Sequence, residues 1–215
     1  MLMRYTFKII LSPILLIILM AAAHAQDSQF VLGTHYKQLS PTQPTSSSPT
    51  QIEVAEIFWY GCPHCYTFDP YIEDWRIDLA DDVNFIRVPA VWNPVLQAHA
   101  KAYYTAETLG VLDQVHTEIF REIHVNRNNL SDNDSLQTFF ARYGVMPDNF
   151  DQTFESFAVF TKMQRADELS RRYKIASVPT VVINGKYVTD AGMAGDYPSL
   201  LRLVNELIIK ERSEQ

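Results

Sequence analysis

The chain has 215 residues, 47% of them hydrophobic, with 18 basic residues against 25 acidic ones and a formal net charge of −7. An acidic balance argues against a nucleic-acid-binding protein, which needs a basic surface. A chain of this length buries a sizeable core without disulfide staples, so its only two cysteines are free for chemistry.

Residues 1–25 carry Arg4 and Lys8, then an apolar run centred on residues 9–20, then Ala23-His24-Ala25 before Gln26. That order of charge, apolar core and small residues is a secretory signal peptide. The core is shorter than the ~20 residues that span a bilayer, and Pro13 interrupts it; an uncleaved anchor is the alternative. The mature chain is expected to begin near Gln26, and export would place both cysteines where a disulfide persists.

Residues 33–39 predict an edge strand, and the Pro/Ser/Thr-rich residues 41–50 predict a solvated connector. Residues 52–60 are β-branched and aromatic on both faces, the pattern of a central strand. Glu56 shares a face with Val54 and Phe58, six residues before Cys62. It is either a strand-edge carboxylate that reaches water or a buried acid of raised pKa able to relay protons to the thiols.

The strand breaks at Gly61 and opens into Cys62-Pro63-His64-Cys65. Two residues between cysteines in a first helical turn bring the sulfurs within bonding reach, so this stretch predicts a dithiol/disulfide redox centre. Cys62 is expected at the helix N-terminus, where free backbone N–H groups and the helix dipole favour a thiolate. Pro63 suits the first helical position. His64 can add a hydrogen bond or partial positive charge, and Cys65, one turn deeper, is the resolving thiol. A zinc half-site would need more cysteines than the chain has, and a purely structural disulfide would close too short a loop to stabilise much. Two reduced, buried cysteines are the remaining alternative.

Phe68, Ile72, Trp75 and Leu79 recur at helical spacing over residues 66–79, with a kink expected at Pro70. Residues 83–88 predict a second strand. Its Arg87 either faces Glu56 or lies in water near the strand end. Helices then follow over 94–108, 112–124 and 136–143, with two more around Phe154 and Leu169. Ser131 and Asp134 offer N-caps, and Phe139, Phe140, Phe150, Phe154, Phe157 and Phe160 are expected in the core. His99, His116 and His124 do not form a ligand set and read as ordinary surface or core histidines. Residues 180–183 and 186–189 flank Asn184-Gly185, the signature of a type I′ hairpin, and an apolar-faced helix over 198–212 ends the chain.

This order, with Glu56, Cys62-Pro63-His64-Cys65, the helical stretch, Ser177-Val178-Pro179-Thr180 and Asn184-Gly185-Lys186-Tyr187, resembles the DsbA family of bacterial periplasmic thiol:disulfide oxidoreductases. The resemblance covers nearly all of the mature chain. It implies an α/β protein, a thioredoxin-like fold with an inserted all-helical domain: signal peptide 1–25, thioredoxin-like parts 26–92 and 161–215, helical domain 93–160. It also implies a cis peptide before Pro179, backbone groups of Val178 offered to a substrate peptide, and Glu56 as a buried acid; Arg87 stands where some members carry a lysine. The implied activity is donation of a Cys62–Cys65 disulfide to exported proteins with free thiols, without cofactor or metal, and reoxidation by a quinone-linked inner-membrane partner of the DsbB type. An isomerase or reductase of the same fold and a non-catalytic peptide-binding chaperone are the alternatives.

Overall fold

The β-branched and aromatic run starting at Ile52 forms strand β2 (Ile52–Phe58) in the computed structural model, which describes residues 29–214. The signal peptide expected over residues 1–25 and the start near Gln26 lie outside the described residues. All seven residues of β2 are buried, as a strand with neighbours on both sides and covered faces requires. It pairs in parallel with β3 (Val83–Pro89) and antiparallel with β4 (Thr180–Ile183). Strands β5 (Tyr187–Thr189) and β1 (Lys37–Gln38) complete a five-stranded sheet in the order β1-β5-β4-β2-β3.

Two strands are shorter than their patterns predict. β2 stops at Phe58 because the next residues turn, the Cys62 N–H donating to the Trp59 carbonyl at 3.0 Å. At the other edge, the strand expected over residues 33–39 reduces to Lys37–Gln38, since the Gly33 N–H closes a turn onto the Tyr36 carbonyl at 2.8 Å. The β4–β5 hairpin does form at Asn184-Gly185, whose φ angles of 51° and 60° are those of a type I′ turn. A Cβ on Gly185 would come within 2.1 Å of the Gln43 carbonyl, so the turn also needs glycine for close approach.

The 41–50 connector is anchored to the sheet as well as solvated. Gln43 N–H donates to the Gly185 carbonyl, and Ser46 (N–H and Oγ) and Ser47 (Oγ) all donate to Glu53 Oε2 at 2.6–2.9 Å. Glu53 lies buried in a central strand, so its carboxylate requires those donors.

Helix α1 (Pro63–Ile77) runs through Pro70 as one element and packs with α8 (Tyr197–Glu214) on one face of the sheet, around Val54, Phe68, Ile72, Val181 and Leu203. Between β3 and β4 the chain makes α2 (Pro94–Thr108), α3 (Leu112–His124), α4 (Asn133–Ala141), α5 (Pro147–Phe154) and α6 (Phe157–Arg172); the four-residue α7 (Ala191–Ala194) precedes α8. Helices α2 and α6 meet the sheet at β3. A domain boundary at residue 160 falls inside α6, a single helix.

Helix α4 begins three residues earlier than its apolar pattern indicates. Its N-cap is Asp132, whose carboxylate accepts the Ser135 N–H at 2.9 Å, rather than Ser131 or Asp134. Phe139, Phe140, Phe150 and Phe154 are buried, but Phe157 and Phe160 are exposed, because Val159 takes the inward position of that turn of α6. Asp132→Ala is expected to cost about 1 kcal/mol in denaturant melts, against less than about 0.5 kcal/mol for Ser131→Ala. Equal losses would overturn the capping assignment.

Candidate active site

The turn after β2 places Cys62 as N-cap of α1, with extended backbone (φ −85°, ψ 119°), and Pro63 inside the first turn. Cys65 is fully buried and Cys62 is 8% exposed; both are free thiols. Their environments separate them chemically. Cys62 is pulled down to about 6, first by the hydrogen bond from the Cys65 side chain, with backbone N–H groups of Cys65 and His64 and the His64 imidazole adding to it against the opposing effect of burial. Cys65 is pushed far up, chiefly by burial and then by its neighbour Cys62. The arrangement therefore presents one slightly exposed sulfur whose thiolate is favoured and one fully enclosed sulfur whose thiol is favoured.

Pro63 and His64 are exposed beside the sulfurs, and the Tyr197 hydroxyl from α8 donates to the His64 carbonyl at 3.1 Å. Opposite them, the peptide between Val178 and Pro179 is cis, and the Val178 carbonyl lies 3.5 Å from Cys62 Sγ. In its thiol form Cys62 donates to that oxygen; as a thiolate it is an acceptor only.

Beneath the sulfurs, Glu56 is buried, as every residue of β2 is, and its surroundings are charged rather than apolar. It is not in water, and it is not alone. Arg87, its cross-strand partner, is also buried and donates through Nε to Glu56 Oε2 at 2.9 Å. The same guanidinium reaches Glu73 Oε1 at 2.7 Å and Asp69 Oδ1 at 3.4 Å, both on α1. Solvation of Arg87 at a strand end is thus corrected: β3 is covered there by α1, and the charge is held by carboxylates. Burial still outweighs Arg87 at Glu56, whose carboxyl is raised to about 7. Asp69 also suffers burial, but the bond from His116 and the charge of Arg87 prevail and hold it below the usual carboxylate range.

Sequence reasoning missed Asp69, Glu73 and His116 as members of this cluster. A signal for Asp69 existed: with Cys65, Phe68 and Ile72 it occupies the buried stripe of α1, where a lone carboxylate needs partners. His116 came with the helical stretch, and nothing local ties it to the cysteines. Among the described residues, Asp69, Glu73 and His116 bring potential metal-ligand atoms within 4.8 Å of one another. Arg87 bonds both carboxylates, so its guanidinium supplies the positive charge that a metal ion would bring.

A profile of the DSBA-like thioredoxin domain matches residues 82–201. The chain is 38% identical over 206 residues to the thiol:disulfide interchange protein DsbA of Pseudomonas aeruginosa, covering 96% of this chain and 97% of that protein. The chain belongs to the DsbA family. The DsbA of Pseudomonas syringae pv. tomato is 41% identical over 84% of each chain. The crystal structure of Pseudomonas aeruginosa DsbA superposes with a TM-score of 0.83 at 40% identity, covering 86% of this chain and 96% of that one. This DsbA-family chain therefore has the thioredoxin-like fold with inserted helices and is a thiol:disulfide oxidoreductase. The profile match begins after the cysteines, whereas the alignment to the Pseudomonas aeruginosa protein is long enough to include them.

In reduced protein, alkylation is expected to fall mainly on Cys62, with a rate that titrates near pH 6. Mapping of the label to Cys65 would refute this. For Glu56, folded and unfolded states are both protonated below about 4.5; above it the unfolded acid ionises while the folded one waits until about 7. Stability contributed by this residue therefore falls as pH rises through that window. Glu56→Gln is expected to gain on the order of 2–3 kcal/mol relative to the parent between pH 4.5 and 7, read from denaturant melts. A flat difference would show that Glu56 titrates in the fold as it does in the unfolded chain.

Proposed function

We propose that this protein is an exported, periplasmic oxidase: it donates a Cys62–Cys65 disulfide to newly exported proteins with free thiols. The observation that carries this is the asymmetry of the two sulfurs, with Cys62 near 6 at the start of α1 and Cys65 enclosed. A substrate thiolate attacks Cys62 Sγ, the Cys62–Cys65 bond breaks, and Cys65 leaves and takes up a proton. A second substrate thiolate then attacks the substrate sulfur of the mixed disulfide. Cys62 leaves as a thiolate, two substrate thiols have become one disulfide, and the enzyme is reduced.

Each other residue of the site has a role in this proposal. His64 and the helix start stabilise the departing Cys62 thiolate. Glu56, titrating near neutrality, exchanges the proton that Cys65 gains and loses. Val178 and Pro179 form the rim on which an extended substrate segment rests, with the Val178 carbonyl as acceptor. The leader over residues 1–25 supports the periplasmic location, and no described helix is long and apolar enough to cross a membrane. Reoxidation by a quinone-linked membrane partner of the DsbB type completes the cycle, with no further cofactor.

Direction follows from Cys62 as leaving group: stabilising its thiolate stabilises the reduced enzyme and makes the disulfide more oxidising. A sulfur at about 6, against the ordinary 9.0, is ionised mostly in the folded state at pH 7. That contributes about 1.4 kcal/mol to the reduced form, on the order of 30 mV for a two-electron couple. The contribution vanishes below about 6, where both states are protonated, and is complete only above 9.0. Reduced protein is therefore expected to exceed oxidised protein in stability at pH 8, with the difference shrinking as pH falls to 5. Paired denaturant melts and the equilibrium with glutathione test this. A disulfide form more stable than the dithiol at pH 8 would favour the reductase reading.

A further inference from the structure

Three histidines of the inserted helices converge on two residues, Trp59 and Tyr60, which form the turn into Cys62. The Trp59 indole N–H donates to His99 Nδ1 at 2.8 Å. The Tyr60 hydroxyl meets His116 Nδ1 at 2.8 Å, and His124 Nε2 donates to the Tyr60 carbonyl at 2.8 Å. These contacts come from α2 and α3, whereas the turn belongs to the sheet. No contact within the turn itself requires them.

Donor and acceptor chemistry fixes the state of His99. An indole N–H only donates and the Asn129 carbonyl, 2.8 Å from His99 Nε2, only accepts, so the imidazole must be neutral with its hydrogen on Nε2. A second proton on Nδ1 would eject the indole. His99 faces Trp59 and Tyr60 from the turn, the Asn129 carbonyl from the α3–α4 loop, and His124 from α3. His116 is likewise held at both nitrogens: Nε2 meets Asp69 Oδ1 at 3.1 Å, one helical turn beyond Cys65. Around it lie Phe58 from β2, Tyr60 from the turn, Tyr103 from α2, Phe120 from α3, Asp69 and Glu73 from α1 and Arg87 from β3.

The turn so gripped has little slack. The Trp59 indole covers Gly61 so closely that a Cβ there would lie 2.2 Å from its ring. The Trp59 carbonyl accepts the Cys62 N–H at 3.0 Å. Through Trp59 and Tyr60 on one side and Asp69 on the other, the histidines bracket the Cys62-Pro63-His64-Cys65 turn at both ends.

We propose that His99, His116 and His124 are positioning residues for the thiol pair, through which the inserted helices hold Cys62 at the start of α1 in the geometry that favours its thiolate. The inference rests on the assignment of Cys62 as the exchanging sulfur. Loosening the turn lets Cys62 depart from its N-cap geometry, so its thiolate weakens and the disulfide becomes less oxidising.

The test compares His99→Phe and His116→Phe, which keep the volume and remove the bonds, with His99→Gln and His116→Gln, whose amides keep a donor and an acceptor. Trp59→Phe removes the indole donor from the other side and serves where a histidine variant fails to fold. Three quantities are read on each full mature protein: the Cys62 titration by thiolate absorbance, the equilibrium constant with glutathione, and the denaturant midpoint. The Phe variants and Trp59→Phe are expected to raise the Cys62 titration midpoint and shift the glutathione equilibrium toward oxidised enzyme by roughly threefold to tenfold, with the Gln variants recovering at least half of the shift on a logarithmic scale. Tryptophan fluorescence of the parent is expected to change on acidification in a step absent from His99→Phe. Variants that lose stability but keep the parent's titration and equilibrium would overturn the proposal and leave the histidines as packing. A parent that does not exchange with glutathione at all would overturn the assignment of Cys62 itself.

Discussion

The buried guanidinium of Arg87 is the interaction on which the centre of the molecule depends. It stands on β3 between Glu56 of β2 and two carboxylates of α1, Asp69 and Glu73, and so joins the sheet to the helix that begins at Cys62. Any one of these acids, enclosed without a partner, would cost several kcal/mol to keep ionised. One cation cannot satisfy three anions equally, and the structure divides the charge. Asp69 gains His116 and Thr117 as further donors and stays ionised; Glu73 is partly exposed and has Arg76 as well. Among the described residues Glu56 has Arg87 as its hydrogen-bond partner, and burial raises its carboxyl to about 7. A buried carboxyl of raised pKa beneath the sulfurs is thus a consequence of how one arginine is shared.

The thiol pair is differentiated by the same economy of space. A helix start exposes N–H groups to Cys62, while the next turn drives Cys65 into the core against Phe58 and Tyr60. Identical side chains three residues apart are thus shifted in opposite directions, Cys62 down and Cys65 up. The oxidising character of the pair rests on that contrast, and anything that moves Cys62 off the helix start would weaken it.

The inserted helices shape this centre from outside the sheet. Their core of Phe120, Phe139, Phe140 and Phe150 is continuous with Phe58, Tyr60 and the two cysteines, and α2 and α3 direct His99, His116 and His124 at the turn before the cysteines. Packing of apolar surface sets the rigidity, and the imidazoles transmit it to the few atoms that matter for exchange.

Local sequence determined much of this. The C-x-x-C pair at a strand-to-helix junction, Pro63 in the first turn and the Asn184-Gly185 hairpin all follow from short-range sterics, and each is found in the fold. Element ends were legible only roughly, because Trp59 and Tyr60 are strand formers that the turn recruits, and because Asp132, not its neighbours, captures the free N–H of α4. Tertiary structure alone decided the partners of the charged and polar groups. Arg87 meets Asp69 across 18 residues, His116 meets Tyr60 across 56 and Cys62 meets Val178 across 116. Periodicity says which face a side chain takes, but which groups share a buried space depends on how sheet, helix and insertion close on one another, and the electrostatics of the thiols are settled there.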